Sequence, residues 1–270
     1  MWCSQAPAAA ENVRLEDVES STLRAGLRAA VEGRLEDAER LFQVYLLNED
    51  PQSASAHSNL GNVHQQQGKP ELAVQDYSRA VELAPQAPVP YLNRAIAKET
   101  LGVQAAQRGD SQGAQTLWRS AAEDASRAIE LDPKEFAAWF DRGNIDMRLS
   151  DFDGALADFR RAADLAPGLA GYRLREATLL FQTGDTGGAR RMIQGVVRKV
   201  PAYAEAHACL AAVDWAQGEG ERAEEQFLRA LEIEPRWGDV AWVQANTRWP
   251  PALEDAFARF LAIQSSSSSS

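Results

Sequence analysis

Apolar side chains recur along this sequence with the spacing of helices that pack through one face. In four segments a small residue is followed by a large apolar residue four positions later, a second small or aliphatic residue three positions after that, and a proline five positions further on. Offsets of three and four residues place side chains on one face of an α-helix, and the proline ends that helix. The four segments are Ala73, Tyr77, Ala80 and Pro85; Ala155, Phe159, Ala162 and Pro167; Ala189, Ile193, Val196 and Pro201; and Ala223, Phe227, Ala230 and Pro235.

The distances between these segments indicate an internal repeat. Ala155 and Ala189 are 34 residues apart, and so are Ala189 and Ala223. We therefore predict six helix–turn–helix units in residues 19–235, beginning near residues 19, 54, 88, 136, 170 and 204. A single pair of helices cannot bury its apolar face, so neighbouring units must stack. The expected turn residues are Gly33, Gly68, Gly109, Ser150, Gly184 and Gly218.

The third unit is longer than the others. From Pro88 to the start of the fourth unit at Phe136 there are 48 residues, 14 more than the repeat period. The turn at Gly109 comes seven residues late, and Pro133 comes seven residues later again. Each helix of this unit should therefore be longer by seven residues, or about 10 Å at the helical rise. The projecting tip is either a partner contact or a neutral extension of the hairpin.

The period and the pattern resemble those of the tetratricopeptide-repeat (TPR) family, and the resemblance covers residues 19–235. It implies an all-α fold, a right-handed superhelix (α-solenoid) of six helix–turn–helix repeats with capping helices at the C-terminal end. It also implies that the first helix of each unit lines a concave face, and that this face binds a protein or an extended peptide.

In that register, the residues expected on the concave face change in character along the chain. They are rich in amides in the second and third units and become apolar and aromatic toward the sixth. Amide groups can hydrogen-bond the backbone of an extended peptide, and aromatic rings can hold its side chains. Alternatively the face is simply solvated, or Phe140 and Trp215 are covered by neighbouring helices. The candidate binding residues are Asn59, Asn62, Gln66, Asn93, Ile96, Phe140, Asp141, Asn144, Arg148, Arg175, Thr178, Phe181 and Trp215.

One mode of peptide recognition can be tested on the sequence itself. Co-chaperone TPR domains resemble this repeat and hold a C-terminal carboxylate with two asparagines and three basic residues. Asn62 and Asn93 match the two asparagines, whereas Ser58, Ala137 and Asp141 stand where the basic residues would be. Because Asp141 would repel a carboxylate, we predict that this protein does not bind chaperone C-termini in this way.

Composition and charge narrow the function further. The 270 residues carry a formal net charge of −11, which disfavours nucleic acid as a partner. The sequence has no run of about 18 apolar residues, so we expect no membrane-spanning helix. The three histidines and the two cysteines, Cys3 and Cys209, form no catalytic, cofactor-binding or metal-ligating motif. We therefore expect a protein that is not an enzyme and has no cofactor or metal site; the sequence does not determine its oligomeric state.

The two ends of the chain differ from the repeats. Residues 1–18 form an N-terminal segment that we expect to be partly disordered. Residues 236–264 form a tryptophan-rich cap with helices over Arg236–Ala245 and Ala252–Ile263. This cap either shields the last repeat or offers an aromatic docking surface. The serine run 265–270 is expected to be disordered.

The same end of the chain carries a narrower resemblance. Asp239–Val243, followed by Arg248–Leu253 and Phe260–Ala262, looks like the tail of TPR proteins from plastids and cyanobacteria. In that setting Ala8–Ala10 resembles the end of a thylakoid transit signal, although composition alone favours a disordered alanine-rich tail. The resemblance implies a chloroplast protein of the thylakoid lumen that helps to assemble or stabilise a photosystem. The alternative is a general co-chaperone or a soluble adaptor subunit of a cytoplasmic complex.

Overall fold

The computed structural model describes residues 18–267, and the side chains of residues 18–264. Within this range the chain forms fourteen α-helices and one short 3₁₀ turn, without a β-strand. The helices group into two compact units, which divide between Leu149 and Ser150 and are described separately. The prediction of an all-helical fold built from helix–turn–helix repeats is confirmed.

The first unit holds seven helices. They are α1 (Ser21–Val31), α2 (Leu35–Asn48), α3 (Ala54–Gln66), α4 (Pro70–Leu83), α5 (Pro88–Gln107), α6 (Ser111–Leu131) and α7 (Phe136–Arg148). The pairs α1–α2, α3–α4 and α5–α6 form hairpins, and the second helix of each hairpin packs against the first helix of the next. The first helices also touch one another, α3 against α5 and α5 against α7. The residues of α3, α5 and α7 therefore share one side of this unit.

The second unit holds the remaining helices. They are α8 (Phe152–Leu165), α9 (Ala170–Gln182), α10 (Thr186–Lys199), α11 (Ala204–Ala216), α12 (Gly220–Ile233), the 3₁₀ turn Pro235–Gly238, α13 (Val240–Asn246) and α14 (Pro251–Ser267). The hairpins α9–α10 and α11–α12 stack through α10 and α11, and α8 packs against α9. The last helix, α14, packs against both α11 and α9.

The turn inside each hairpin depends on a residue with left-handed backbone. Five glycines have φ between 72° and 95°, and Ser150 has φ of 62°. A side chain disfavours this conformation, so glycine is the usual residue there and serine is an exception. These six residues are the turn residues that the sequence identified, namely Gly33, Gly68, Gly109, Ser150, Gly184 and Gly218.

Small residues let the two helices of a hairpin approach, and a ring fills the space between them. In the α3–α4 hairpin the Tyr77 ring lies against Gly61, where an added Cβ would be 2.7 Å from a ring carbon. The flanking Ala73 and Ala80 are fully buried. This close packing explains why the sequence repeats small and large apolar residues at fixed offsets.

The third hairpin is extended as the sequence predicted. Helix α5 has 20 residues, whereas α3, α7, α9 and α11 have 13 each. Helix α6 has 21 residues, whereas α4, α8, α10 and α12 have 14 each. Both helices are longer by seven residues, so they remain paired over their whole length.

The C-terminal segment differs from the prediction in two places. Instead of one helix over Arg236–Ala245, the chain breaks at Gly238, and α13 begins after Asp239. The Asp239 carboxylate accepts a hydrogen bond from the Ala241 N–H at 2.9 Å and so starts the new helix. Helix α14 continues to Ser267, so residues 265–267, which we expected to be disordered, are helical. The expected disorder of residues 1–17 and of 268–270 lies outside the described residues.

Candidate functional site

The predicted binding residues of the first unit lie on its first helices. We call this surface the amide-rich face. Three hydrogen-bonded contacts link its helices: Asn93 to Asn62, Gln65 to Thr100, and Arg148 to Glu99. The structure therefore brings the predicted residues of this unit together on adjoining helices. They are Asn59, Asn62 and Gln66 of α3, Asn93 and Ile96 of α5, and Phe140, Asp141, Asn144 and Arg148 of α7.

Asn62 lies at the centre of the contact between α3 and α5. Its Oδ1 accepts a hydrogen bond from the Tyr77 hydroxyl at 2.8 Å and another from Asn93 Nδ2 at 3.1 Å. Burial raises the pKa of the Tyr77 phenol, which therefore stays protonated and keeps donating. Because both lone pairs of Oδ1 are used, the side-chain NH₂ of Asn62 is left as a donor, and it donates to no group in residues 18–264.

Asn93 and Asn144 are less accessible than the sequence suggested. Asn93 is 3% exposed and Asn144 is 4% exposed. Neither Nδ2 nor Oδ1 of Asn144 has a hydrogen-bond partner among the described residues. An unpaired buried amide costs about 1 to 3 kcal/mol, so Asn144 is a polar site that the fold leaves unsatisfied. Asn59 and Ile96 are half-buried and Gln66 is exposed, which leaves these three open to a partner.

The charged residues of this face are already engaged. Arg148 Nε lies 3.3 Å from Glu99 Oε1, and Glu99 is almost fully buried. The pair joins α5 to α7, so Arg148 is not a free cation for a carboxylate ligand. The prediction that this face does not clamp a C-terminal carboxylate stays a prediction.

The predicted binding residues of the second unit are covered by the chain itself. The Trp215 ring packs against Phe260 of α14 with ring centroids 5.8 Å apart. Thr178 is fully buried and donates its hydroxyl proton to the Arg175 carbonyl at 2.9 Å. Phe181 is half-buried against the same apolar cluster. The aromatic end of the expected groove is therefore occupied by α14. For Trp215 this agrees with the alternative that a neighbouring helix covers the ring.

The mostly buried carboxylate of Glu205 holds this covering segment. Glu205 Oε1 lies 2.9 Å from Arg175 Nη2 and accepts the Trp249 indole N–H at 3.0 Å. Glu205 Oε2 accepts the Tyr203 hydroxyl at 3.1 Å. Arg175 is thus a structural residue of the contact with the C-terminal segment, not an open ligand contact.

The tryptophan-rich segment packs inward in this unit. The rings of Trp237 and Trp249 are stacked with centroids 5.5 Å apart, and both side chains are 4% exposed. Leu253, Phe257 and Phe260 of α14 are fully buried beside them. This arrangement fits the shielding role better than the docking role, because buried rings offer no surface to a partner.

The histidines and the described cysteine have structural surroundings. His64 Nδ1 lies 2.6 Å from Asp76 Oδ2, and His207 Nδ1 lies 2.8 Å from Gln226 Oε1. Cys209 is fully buried, and that burial raises the pKa of its thiol. A buried thiol that stays protonated is a poor nucleophile. In residues 18–267 no group of three or more histidine, cysteine, aspartate and glutamate side chains could hold a metal ion.

Two features were not predicted from the sequence. The amphipathic pattern of α14 showed that one face must be buried but could not show that α9 and α11 bury it. The second feature is an open surface cavity of about 470 Å³ between α10, α11 and α12. None of the described helices is both long and apolar enough to cross a bilayer.

Comparison with known proteins gives the family. Models described as tetratricopeptide repeat match residues 54–86, 106–170 and 174–239. The photosystem I assembly protein Ycf3 of Cyanophora paradoxa is 32% identical over 115 residues, which is 42% of this chain and 66% of that protein. The TPR and J domain-containing co-chaperone DNJ1 of Cryptococcus neoformans is 30% identical over 120 residues, 44% of this chain and 22% of that protein.

A solved structure shows the same fold. A tetratricopeptide repeat protein from Parabacteroides merdae superposes with a TM-score of 0.63 over 89% of this chain and 97% of that chain, at 16% identity. At this identity the likeness concerns the fold alone. The 34-residue period, the helical hairpins with their left-handed turn residues and the family matches lead to one conclusion: the chain belongs to the tetratricopeptide-repeat family, whose members are protein-interaction scaffolds.

Proposed function

We propose that this protein is a non-enzymatic scaffold that binds a polypeptide partner on the amide-rich face of α3, α5 and α7. The observation that carries the proposal is the fixed orientation of the Asn62 amide. Its oxygen is held by Tyr77 and Asn93, so its NH₂ group faces a partner as a preorganised donor. An extended peptide presents a backbone carbonyl at regular intervals, which such a donor can bind.

The neighbouring side chains suit a peptide of mixed character. Asn59 and Gln66 add amides along α3, and the half-buried Ile96 on α5 adds an apolar contact. The Glu99–Arg148 pair neutralises its own charges, so the face holds no isolated cation at that point. These features favour a neutral or basic peptide over a free carboxylate.

We further propose that the partner belongs to a photosynthetic thylakoid complex, which the protein helps to assemble or stabilise. The similarity to the Cyanophora photosystem I assembly protein supports this role. The chain spans 66% of that relative's length, and the match covers 42% of the chain. The C-terminal residues that resemble plastid TPR proteins support the same role and a chloroplast location, in the thylakoid lumen.

An affinity capture with a matched control tests both parts. The purified protein is used as bait on detergent-solubilised thylakoids, beside a variant carrying Asn59→Arg and Gln66→Arg. The control carries Gln43→Arg and Gln75→Arg, the same charge change on exposed positions of α2 and α4. We expect photosystem subunits with the unaltered protein and the control, and about tenfold less with the first variant because two groove amides are replaced by bulky cations.

A general co-chaperone is the second candidate, and the similarity to the Cryptococcus co-chaperone favours it. Capture from a total soluble extract separates the two. Recovery of general chaperones without photosystem subunits would support the co-chaperone. Equal recovery by both arginine variants would reject the amide-rich face as the binding surface.

A further inference from the structure

Helix α10 is basic in a chain that is acidic overall. The sequence has 39 acidic residues and 28 lysines and arginines, yet α10 carries four basic residues and no acidic one. They are Arg190, Arg191, Arg198 and Lys199. Such a concentration of one charge on a single helix attracts groups of the opposite charge.

Two of these arginines lie on the wall of the cavity between α10, α11 and α12. Arg190 and Arg198 line the cavity from α10, and Arg222 lines it from α12. Leu210 of α11 and Val197 of α10 give it an apolar part. A volume of about 470 Å³ is large enough for a few side chains of a ligand.

The guanidinium groups are only partly paired. Arg190 Nε lies 2.5 Å from Asp214 Oδ1, and no hydrogen bond occupies its Nη groups within residues 18–264. Among the described residues, Arg222 forms one ion pair, with Glu219 3.2 Å away, and about half of each side chain is exposed. Arg198 is exposed and forms no ion pair within the described residues. At the cavity Arg198 has no ion-pair partner among the described residues, and Arg190 and Arg222 have one each, which leaves part of their donors for a ligand.

Two acidic residues, Asp214 and Glu225, lie on the same wall and offset part of the positive charge. Asp214 is buried and bound to Arg190, so it holds that arginine in place. Glu225 lines the α12 side as an exposed carboxylate. Gln194 and Gln226 are also on the wall, and the side-chain amide of Gln226 is hydrogen-bonded to His207.

We propose that this cavity is a second binding site and takes a short acidic segment of a polypeptide. Carboxylates bind Arg198, Arg222 and the Nη groups of Arg190, and an apolar side chain of the segment rests on Leu210 and Val197. The cavity lies on α10, α11 and α12 and uses none of the residues of the amide-rich face. The scaffold can therefore hold two segments at once.

The test uses the full chain and fluorescein-labelled hexaglutamate, followed by fluorescence anisotropy at low ionic strength. We expect saturable binding that weakens as salt is raised, since exposed charge pairs are screened. Hexaglutamine of the same length should not bind. Absence of hexaglutamate binding up to millimolar concentration would overturn the proposal.

Charge reversals locate the site. Arg198→Glu with Arg222→Glu should weaken hexaglutamate binding by about tenfold or more, because two exposed ion pairs are replaced by repulsion. The control, Arg191→Glu with Arg229→Glu, has the same net charge and changes exposed arginines of α10 and α12 outside the cavity. Equal weakening by both pairs would show unspecific attraction and contradict the proposal.

A gain of affinity gives an independent check. Glu225→Gln removes a like charge from the cavity wall, so hexaglutamate should bind about twofold to fivefold more tightly. No change would count against the proposed position of the ligand. Vesicles of anionic phosphatidylglycerol provide the last comparison: binding to vesicles that depends on Arg198 and Arg222, without hexaglutamate binding, would assign the patch to a membrane surface instead.

Discussion

The indole ring of Trp118 on α6 lies directly against Gly102 on α5. A Cβ added at Gly102 would be 2.5 Å from Trp118 Cδ1, and the indole N–H donates to the Glu99 carbonyl at 3.3 Å. Gly102 lies 14 residues after Pro88, where the third repeat begins. In the second repeat, which begins at Ala54, the residue at the same offset is Gly68, and there the first helix has ended. In the third repeat the helix continues through this glycine, and the free space is filled by the tryptophan.

Gly102→Ala should therefore destabilise the protein although alanine is the better helix former. The added methyl must displace the indole, and overpacking of this kind costs about 1 to 3 kcal/mol. Chemical denaturation followed by circular dichroism measures the change. Gly195→Ala in α10 is the control, because nothing lies within 4 Å of its added Cβ. It should stabilise the protein by about 0.5 to 1 kcal/mol; similar losses from both substitutions would contradict the packing argument.

The extension of the third hairpin should be removable if both helices are shortened together. Deleting residues 102–108 and 111–117 joins Leu101 to Gly109 and Asp110 to Trp118, which restores helices of ordinary length. We expect cooperative unfolding to be retained, with helix content reduced by the deleted turns. Deleting residues 102–108 alone leaves two turns of α6 without a partner and should lower the stability further.

The same paired deletion tests the tip of the hairpin as a partner contact. Captured thylakoid proteins should decrease with the paired deletion if the tip touches the partner, and should stay unchanged if the extension is neutral. The structure indicates that the added turns of α5 and α6 stabilise each other. A variant with the paired deletion that is less stable than the variant lacking residues 102–108 alone would contradict this.

Glu205→Gln should weaken the attachment of the C-terminal segment. The substitution removes the charge that balances Arg175 in a site where both side chains are mostly buried. Loss of one partner from such a pair costs about 3 kcal/mol. Glu232→Gln is the control, since its pair with Arg229 is about 60% exposed on both sides. It should change the free energy of unfolding by less than about 0.5 kcal/mol; equal effects would mean that Glu205 does not anchor Trp249.

Cys209 should be unreactive in the folded protein. Its thiol is fully buried, and burial raises its pKa, so little thiolate forms near pH 8. In a Cys3→Ser variant, where Cys209 is the remaining cysteine, an aromatic disulfide reagent should release almost no colour until guanidinium is added. Fast reaction of the native variant would show that this part of α11 opens readily or is accessible.

The helices and turns could be predicted from the sequence because the residues that determine them lie close together within each repeat. Turn residues such as Gly68 and core residues such as Tyr77 recur at fixed positions of the repeat. Because of backbone geometry, each of these positions corresponds to one place in the helical hairpin. The extra seven residues in α5 and α6 could be counted in the same way. These features need no knowledge of distant contacts.

The candidate site was harder to predict because accessibility is decided by distant segments. Trp215 has the sequence position of a groove residue, but Phe260, 45 residues later, packs against it. Asn93 is nearly buried because it reaches Asn62 on the neighbouring helix. Register predicts which way a side chain points, and only the folded structure shows what covers it.

Phe227 on α12 corresponds in the repeat to Tyr77 on α4, which packs against the helix that follows its own hairpin. Phe227 instead contacts Phe257 and Phe260 of α14, with ring centroids 6.0 and 5.2 Å apart. Helix α14 packs mainly against α11 and α9, the first helices of the last two hairpins, and covers Phe227 from that side. Helical repeats with an open end can add head to tail into filaments. Because its contacts with α14 bury Phe227, this ring offers no apolar surface for such an addition.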